Sequence, residues 1–243
     1  MADGADDDVT QKVRELRAQG LTPREIARSL GIRSAEASAL VREFAAERDG
    51  ANLDADLLGC WLNAGWSAGL GVPDRADWRD PGAGEGTEGL LTVLVARRRR
   101  HRRKIMTCTY LVDAYCLGVK NAMGPDEMDD RGLRLLTGFA FSAYSAPPVS
   151  APIDLVRDLV LGAVEYARGL GFEPHRDFER ARSHLGPWEG PSAITFGCNG
   201  KPYYINGPDD DPEYVLRTLR RTVGDRGFGH TIAYDLDDLR MAG

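Results

Sequence analysis

The sequence lacks any apolar run of the roughly 20 residues that a helix needs to cross a bilayer, so we expect no membrane contact. It also lacks the basic and then apolar start of a secretory signal, because its first eight residues, MADGADDD, are acidic. The protein is therefore expected in the cytoplasm. Only four cysteines occur among 243 residues, with no Cys-x-x-Cys pair, which predicts neither a disulfide framework nor a zinc ribbon. Accordingly, we expect no metal and no cofactor.

Lysine is scarce, since 4 of the 31 basic side chains are lysine and the rest are arginine. The formal net charge of −6 taken alone argues against a nucleic-acid binder, but the charge is unevenly distributed. Residues 9–48 hold eight basic and five acidic side chains, and residues 97–104, RRRRHRRK, add seven cations. Residues 105–243 hold 14 basic and 20 acidic side chains. Because salt screens charges beyond about 8–10 Å, local patches set the field that a phosphate meets.

The first fifty residues carry the start and stop signals of short helices. Thr22, followed three residues later by Glu25, forms a capping box, and Pro23 suits the first helical position. Gly31 ends this helix, because glycine adopts a left-handed turn at little cost. Ser34 suits the N-cap of the next helix, which carries an apolar face. A short helix on either side of a tight glycine turn, preceded by another helix, indicates a helix-turn-helix.

The stretch GLTPREIARSLGI at residues 20–32 resembles the trihelical helix-turn-helix of resolvases, transposases and sigma-factor region 4. The resemblance covers residues 9–48 and implies binding to double-stranded DNA, with residues 34–47 as the recognition helix. The exposed positions expected to contact DNA are Arg33, Ser34, Glu36, Ser38 and Arg42. Such units also serve as protein–protein modules, so a protein adaptor is an alternative. A module of this size neutralises few phosphates, and a homo-oligomer or a second contact would raise its affinity.

The arginine-rich run offers a second contact. Two runs rich in apolar and β-branched residues, Leu90–Ala96 and Ile105–Val112, flank it and predict a pair of strands joined by a basic hairpin loop at 97–104. The cations expected to grip a nucleic-acid backbone are Arg97, Arg98, Arg99, Arg100, Arg102, Arg103 and Lys104. The alternative is a solvated loop whose charges keep the sheet edge from pairing with another chain.

The remainder of the sequence predicts a mixture of helices and strands. Asn199-Gly200 is a hairpin signal between the runs Ala193–Phe196 and Tyr203–Ile205. Asp211 is expected to cap the helix that begins at Pro212. The helices predicted from apolar periodicity span residues 127–145, 152–168, 174–185 and 212–223. We therefore expect a multidomain chain, with an all-α helix-turn-helix N-terminal domain at 1–50 followed by an α+β domain at 57–243.

Two patterns in the second half allow an enzymatic alternative. Cys116 or Cys198 could serve as a nucleophile, with a base drawn from the histidines 175, 184 and 230, but no local motif marks a catalytic cysteine. Glu165, His175 and Asp177, with Asp113 and Lys120 upstream, could bind magnesium for phosphodiester cleavage. Carboxylates scattered on helices are more often solvated or ion-paired.

These patterns favour a DNA-binding protein, and more specifically a bacterial transcriptional regulator. The second half would then sense a ligand, form oligomers or dock a partner, a layout that rests on analogy between folds. The alternatives are a metal-dependent, nuclease-like enzyme with its active site in the second half, and a protein adaptor. A catalytic role is the less favoured expectation, and the sequence assigns no catalytic residue.

Overall fold

The computed structural model describes residues 9, 11–13, 15–17, 20–41, 54–82, 87–98 and 104–232. The chain divides into two units with dense internal contacts, Met1–Ala55 and Asp56–Gly243. Within the described residues, no helix is both long and apolar enough to pass through a bilayer. Each unit has its own apolar core, as described below.

Helix α1, Pro23–Leu30, is the central element of the unit Met1–Ala55. It begins at the predicted capping box and ends at Gly31, which is left-handed with φ 68°. The described residues on either side of it, 9, 11–13, 15–17 and 34–41, are helical. Four fully or nearly fully buried side chains form the core, and α1 and both flanking helical segments contribute to it: Val13, Ile26, Ala27 and Ala37.

A five-stranded antiparallel sheet dominates the unit Asp56–Gly243. Its strands in chain order are β1 Leu57–Leu62, β2 Leu90–Arg98, β3 Ile105–Asp113, β4 Gly118–Met128 and β5 Val149–Ala151. They lie side by side in the order β4-β3-β2-β1-β5. Two further strands, β6 Tyr203–Ile205 and β7 Gly229–Thr231, form a separate parallel pair.

In the described part of this unit, four helices accompany the strands: α2 Asp130–Ala140, α3 Ile153–Leu170, α4 Phe178–Arg182 and α5 Pro212–Val223. Helix α3 is buried along most of its length and packs on β1, β3 and β4, where it closes the main core. A second core joins the C-terminal end of α3 to α5 and to β6 through Phe172, Tyr204 and Leu219.

The predicted fold class is wrong. The sequence predicted a multidomain chain with an all-α N-terminal domain followed by an α+β domain, whereas short helices are mixed with strands around a five-stranded antiparallel sheet. Local apolar spacing identifies helices one at a time, but the fold class depends on strand pairing between distant residues. Strands β1 and β4 lack a clear alternation of apolar and polar residues, so the sequence pattern did not predict them.

Several local predictions are confirmed and others are wrong. The strand pair around the arginine run is present as β2 and β3, and the helices predicted at 152–168 and 212–223 are present as α3 and α5. The hairpin predicted at Asn199-Gly200 is wrong, because β6 pairs in parallel with β7 instead. Asn199 and Gly200 do form a turn with positive φ, but only Cys198 and Lys201 pair across it.

Candidate functional site

Local hydrogen bonds hold both ends of α1, where the sequence predicted a capping box and a glycine stop. The Thr22 hydroxyl oxygen accepts from the backbone nitrogen of Glu25 at 3.4 Å, and the Thr22 backbone nitrogen donates to Glu25 Oε2 at 2.7 Å. The Thr22 hydroxyl and the Thr22 backbone nitrogen both donate to the Glu25 carboxylate, and these two bonds lower its pKa. The backbone nitrogen of Ile32 donates to the carbonyl of Ala27, so the chain turns within residues 31–33 before the next helical segment begins.

The residues predicted to contact DNA in this unit lie around that turn. Arg33 is exposed, and its Nε lies 3.7 Å from Glu36 Oε2. Ser34 is exposed at the start of the helical segment 34–41, and Ser38 donates its hydroxyl proton to the Ser34 carbonyl. Of the positions predicted to be exposed in this stretch, Arg33 and Ser34 are exposed, whereas Glu36 and Ser38 are half-buried. Arg42 lies outside the described residues.

The arginine run has a different environment at each described position. Arg97 is buried, and it donates from Nε to the carbonyl of His184 at 2.7 Å and from Nη2 to the carbonyl of Leu185 at 3.1 Å. Arg98 forms an ion pair with Asp130, and Lys104 forms one with Glu127. Arg97 is therefore used inside the fold, while Arg98 and Lys104 lie at the surface. The remaining members, Arg99, Arg100, Arg102 and Arg103, lie outside the described residues.

A cleft of about 740 Å³ opens in the unit Asp56–Gly243, a volume typical of small-molecule sites. We call it the Lys120 cleft. It lies between the start of β4, the segment that follows α3, the loop 207–211 and the first turn of α5. Its apolar lining comes from Leu90, Leu111, Leu117, Val119, Pro208 and Val215.

An ion pair lies at the wall of the Lys120 cleft. Lys120 Nζ is 2.8 Å from Asp210 Oδ2, and both side chains are mostly buried. The same carboxylate oxygen accepts from the backbone nitrogen of Gly207 at 2.7 Å and from the Tyr204 hydroxyl at 3.4 Å. These bonds fix the loop 207–211 against β4, and they leave the charge of Lys120 already neutralised.

The turn that positions β4 depends on a buried carboxylate. Asp113 Oδ1 accepts from the backbone nitrogens of Tyr115 and Cys116, and Oδ2 accepts from that of Leu117. Burial raises the pKa of Asp113 to about 6, although the three backbone donors and Lys120 favour the ionised form. The next residue, Gly118, has φ 68°, and a Cβ there would lie 2.8 Å from the Cβ of Ala167 on α3. This tight turn sets where Lys120 lies.

Aromatic and acidic side chains complete the lining. Phe172 and Tyr214 meet edge to face with ring centroids 6.4 Å apart, and Tyr214 is 47% exposed. The backbone nitrogen of His175 donates to the carbonyl of Val119, which ties the segment after α3 to β4. Three carboxylates besides Asp210 line the cleft: Glu173, Asp209 and Asp211. Asp211 accepts from the backbone nitrogen of Tyr214 and so caps α5, as the sequence predicted.

The residues of the enzymatic alternative are distributed as follows. Cys116 is fully buried, and burial raises the pKa of its thiol well above the ordinary value, so it remains protonated at neutral pH. His175 Nδ1 lies 3.6 Å from Asp177 Oδ2, whereas Lys120 pairs with Asp210. Among the described residues, no group of three or more histidine, cysteine, aspartate or glutamate side chains is placed to hold a metal ion.

Sequence reasoning missed the Lys120 cleft. Lys120 and Asp210 are 90 positions apart, and the sequence named Lys120 only in the magnesium alternative, with nothing to pair it with Asp210. One local signal was available. Asp113, four residues before Leu117, and the glycine that follows Leu117, Gly118, indicate a turn anchored by a carboxylate. No protein-family model, no curated protein and no solved structure matches this chain.

Proposed function

We propose that this protein is a bacterial transcriptional regulator that acts in the cytoplasm and binds double-stranded DNA through residues 20–41. The observation that carries the proposal is the turn at residues 31–33, between the capped helix α1 and the helical segment 34–41. A short capped helix, a tight turn and a second helix form the motif whose second helix enters the major groove.

Packing supports this use of the helical segment 34–41. Ala37 is buried against Ile26 and Ala27, so this side of the segment is fixed to α1. Ser34, Ala35 and Ala39 are exposed. Small side chains on the exposed face would allow close approach of the helix to base edges and phosphates.

The charge of the described residues supports the same proposal. Between residues 9 and 41 the structure describes five basic side chains and three acidic ones, and all five basic residues are exposed: Lys12, Arg17, Arg24, Arg28 and Arg33. Glu25 is engaged in the capping box and Glu36 faces Arg33, which reduces the repulsion that these carboxylates would exert on a phosphate.

The unit Asp56–Gly243 would supply the regulatory half. We propose that it senses a ligand, since it contains the Lys120 cleft with a mixed apolar and charged lining. Oligomerisation of the same unit would place two helix-turn-helix segments on one duplex and raise the affinity.

Fluorescence anisotropy of a labelled duplex, titrated with the full chain at several salt concentrations, tests DNA binding. We expect a dissociation constant of about 10⁻⁴–10⁻⁶ M for a random duplex, with log affinity falling by about 0.9 per phosphate contact for each unit of log salt. Selection from a random duplex library would then identify a preferred sequence. A concentrated protein that leaves the duplex unbound at low salt would contradict the proposal.

A matched pair of charge reversals locates the interface. We expect Arg33→Glu to weaken duplex binding about tenfold, because it replaces a phosphate contact with repulsion. Arg226→Glu makes the same change at an exposed site in the other unit and is expected to leave the affinity within about twofold. Equal effects of the two variants would argue against an interface at residues 20–41.

A further inference from the structure

We infer that the Lys120 cleft binds an organic cation with a large apolar surface. Three independent features of the cleft lead to this class of ligand. They are its volume and apolar lining, the exposed aromatic ring at its rim, and the net negative charge of its lining. The inference concerns a site in the unit Asp56–Gly243 and does not require that the chain binds DNA.

The apolar part of the cleft is large enough for an aromatic or branched ligand. Its volume of about 740 Å³ lies within the roughly 300–1,000 Å³ of small-molecule sites. Leu117 and Val119 are held by the turn that Asp113 anchors, and Val215 is fixed in the first turns of α5. These side chains form a preformed surface, so a ligand would not have to order it on binding.

The aromatic ring at the rim of the cleft favours a cation over a neutral ligand. Tyr214 is 47% exposed at the edge of the cleft, and its ring is steadied by edge-to-face contact with Phe172. The face of an aromatic ring carries partial negative charge and attracts a cation, the more so where water is excluded.

The charged side chains of the lining also favour a cation, because their net charge is negative. Four carboxylates line the cleft, on Glu173, Asp209, Asp210 and Asp211, against the single ammonium of Lys120. Lys120 is neutralised by Asp210 at 2.8 Å. Asp209 is exposed and forms no ion pair or hydrogen bond with any residue that the structure describes. Glu173 pairs with Arg168 only at the exposed surface, where such pairs are weak.

The same lining disfavours an anionic ligand. Lys120 could serve an anion only by leaving Asp210, and the freed carboxylate would then remain mostly buried without its partner. His175 could add a positive charge only when protonated, and Asp177 already lies 3.6 Å from its Nδ1. Phosphates and carboxylates are therefore disfavoured at this site.

Isothermal titration calorimetry with an isosteric pair of probes tests the inference. Tetraphenylphosphonium and tetraphenylborate present nearly the same apolar surface with opposite charge. We expect the full chain to bind the phosphonium about tenfold more tightly than the borate at neutral pH, because the carboxylates attract one probe and repel the other. Equal affinities, or no detectable binding of the phosphonium at millimolar concentration, would overturn the inference.

Charge-neutralising variants assign the binding to this cleft. The double variant Glu173→Gln with Asp209→Asn should weaken phosphonium binding about fivefold and leave borate binding unchanged or tighter. Its control, Glu189→Gln with Asp74→Asn, removes the same charges at exposed positions outside the cleft and should change neither affinity by more than about twofold. The inference fails if the two double variants behave alike. Circular dichroism of both variants shows that they are folded.

Tyr214→Leu separates the aromatic contribution from the apolar one. Leucine keeps apolar area but removes the ring face, so we expect the phosphonium to lose more affinity than the borate. An equal loss for both probes would show that Tyr214 contributes apolar area alone, and would overturn its assigned role toward the cation.

Discussion

Arg97 donates its Nε to the backbone carbonyl of His184 at 2.7 Å, from a side chain that is only 3% exposed. It also reaches the carbonyl of Leu185, which accepts from Arg157 as well. The first arginine of a run that reads as a nucleic-acid contact is thus a structural residue. It joins the end of β2 to the segment that follows α4.

We expect Arg97→Ala to lower the free energy of unfolding by about 3 kcal/mol, because it leaves two buried carbonyls without one of their donors and removes a packed side chain. Lys104→Ala, which breaks an exposed ion pair with Glu127, should cost less than about 1 kcal/mol. Urea unfolding of the full chain measures both. An equal loss for the two variants would contradict the structural role of Arg97.

His184 should make the protein less stable in acid. Burial, with Arg97 close by, lowers the pKa of His184 to about 4, below its ordinary value of 6.5. The unfolded chain therefore takes up a proton between pH 6.5 and 4 that the folded chain excludes. The stability that the neutral histidine contributes is complete above pH 6.5 and is lost as the pH falls toward 4, on the order of 3 kcal/mol in total.

His184→Gln, which stays neutral, should remove this contribution, so its stability relative to the wild type should rise as the pH falls from 6.5 to 4. Urea unfolding at several values between pH 4 and 6.5 measures the slope of the unfolding free energy against pH. The exposed His230→Gln serves as the control and should retain the wild-type slope. Unchanged behaviour of His184→Gln would show that this histidine is not the group responsible.

Asp113 should make the protein more stable in acid, which is the opposite of the effect of His184, over nearly the same pH range. Burial raises its pKa from 3.8 to about 6, so the folded chain holds a proton that the unfolded chain has released. Its contribution to stability therefore decreases as the pH rises from 3.8 to 6, again by about 3 kcal/mol, and then stays constant. Asp113 and His184 largely offset one another in the wild-type protein.

Asp113→Asn isolates the pH-dependent contribution of Asp113 to stability, which His184 largely offsets in the wild type. The variant loses one acceptor for the backbone donors of the turn and is expected to be less stable at every pH. Its deficit against the wild type should narrow as the pH rises from 3.8 to 6. Chemical unfolding of both proteins at each end of this range measures the difference, and a constant deficit would contradict the raised pKa.

The capping box should control the local stability of α1. Thr22→Ala removes the acceptor for the Glu25 backbone nitrogen and should cost about 1 kcal/mol, seen as roughly fivefold faster hydrogen exchange at residues 26–30 of the full chain. Ser29→Ala lies exposed within the same helix and should leave exchange unchanged or slower, because alanine favours helix. Similar acceleration in both variants would mean that the cap adds nothing.

Short-range signals in the sequence correctly located several elements. The caps at Thr22 and Asp211 were predictable because a cap joins groups three residues apart, and the strands β2 and β3 were predictable from runs of β-branched and apolar residues. The end of α1 at Gly31 was predictable for the same reason, since the conformation of a single residue decides it.

Long-range contacts decided the rest. Arg97 and Arg98 are adjacent arginines that the sequence does not distinguish. Because successive side chains of a strand point to opposite faces, Arg97 contacts the His184 and Leu185 carbonyls while Arg98 pairs with Asp130. Lys120 and Asp210 become partners only because β4 and the loop before α5 pack together. Local chemistry thus determined where helices and strands begin and end, whereas burial, pairing and the charged cleft came from tertiary packing, which no short window of sequence contains.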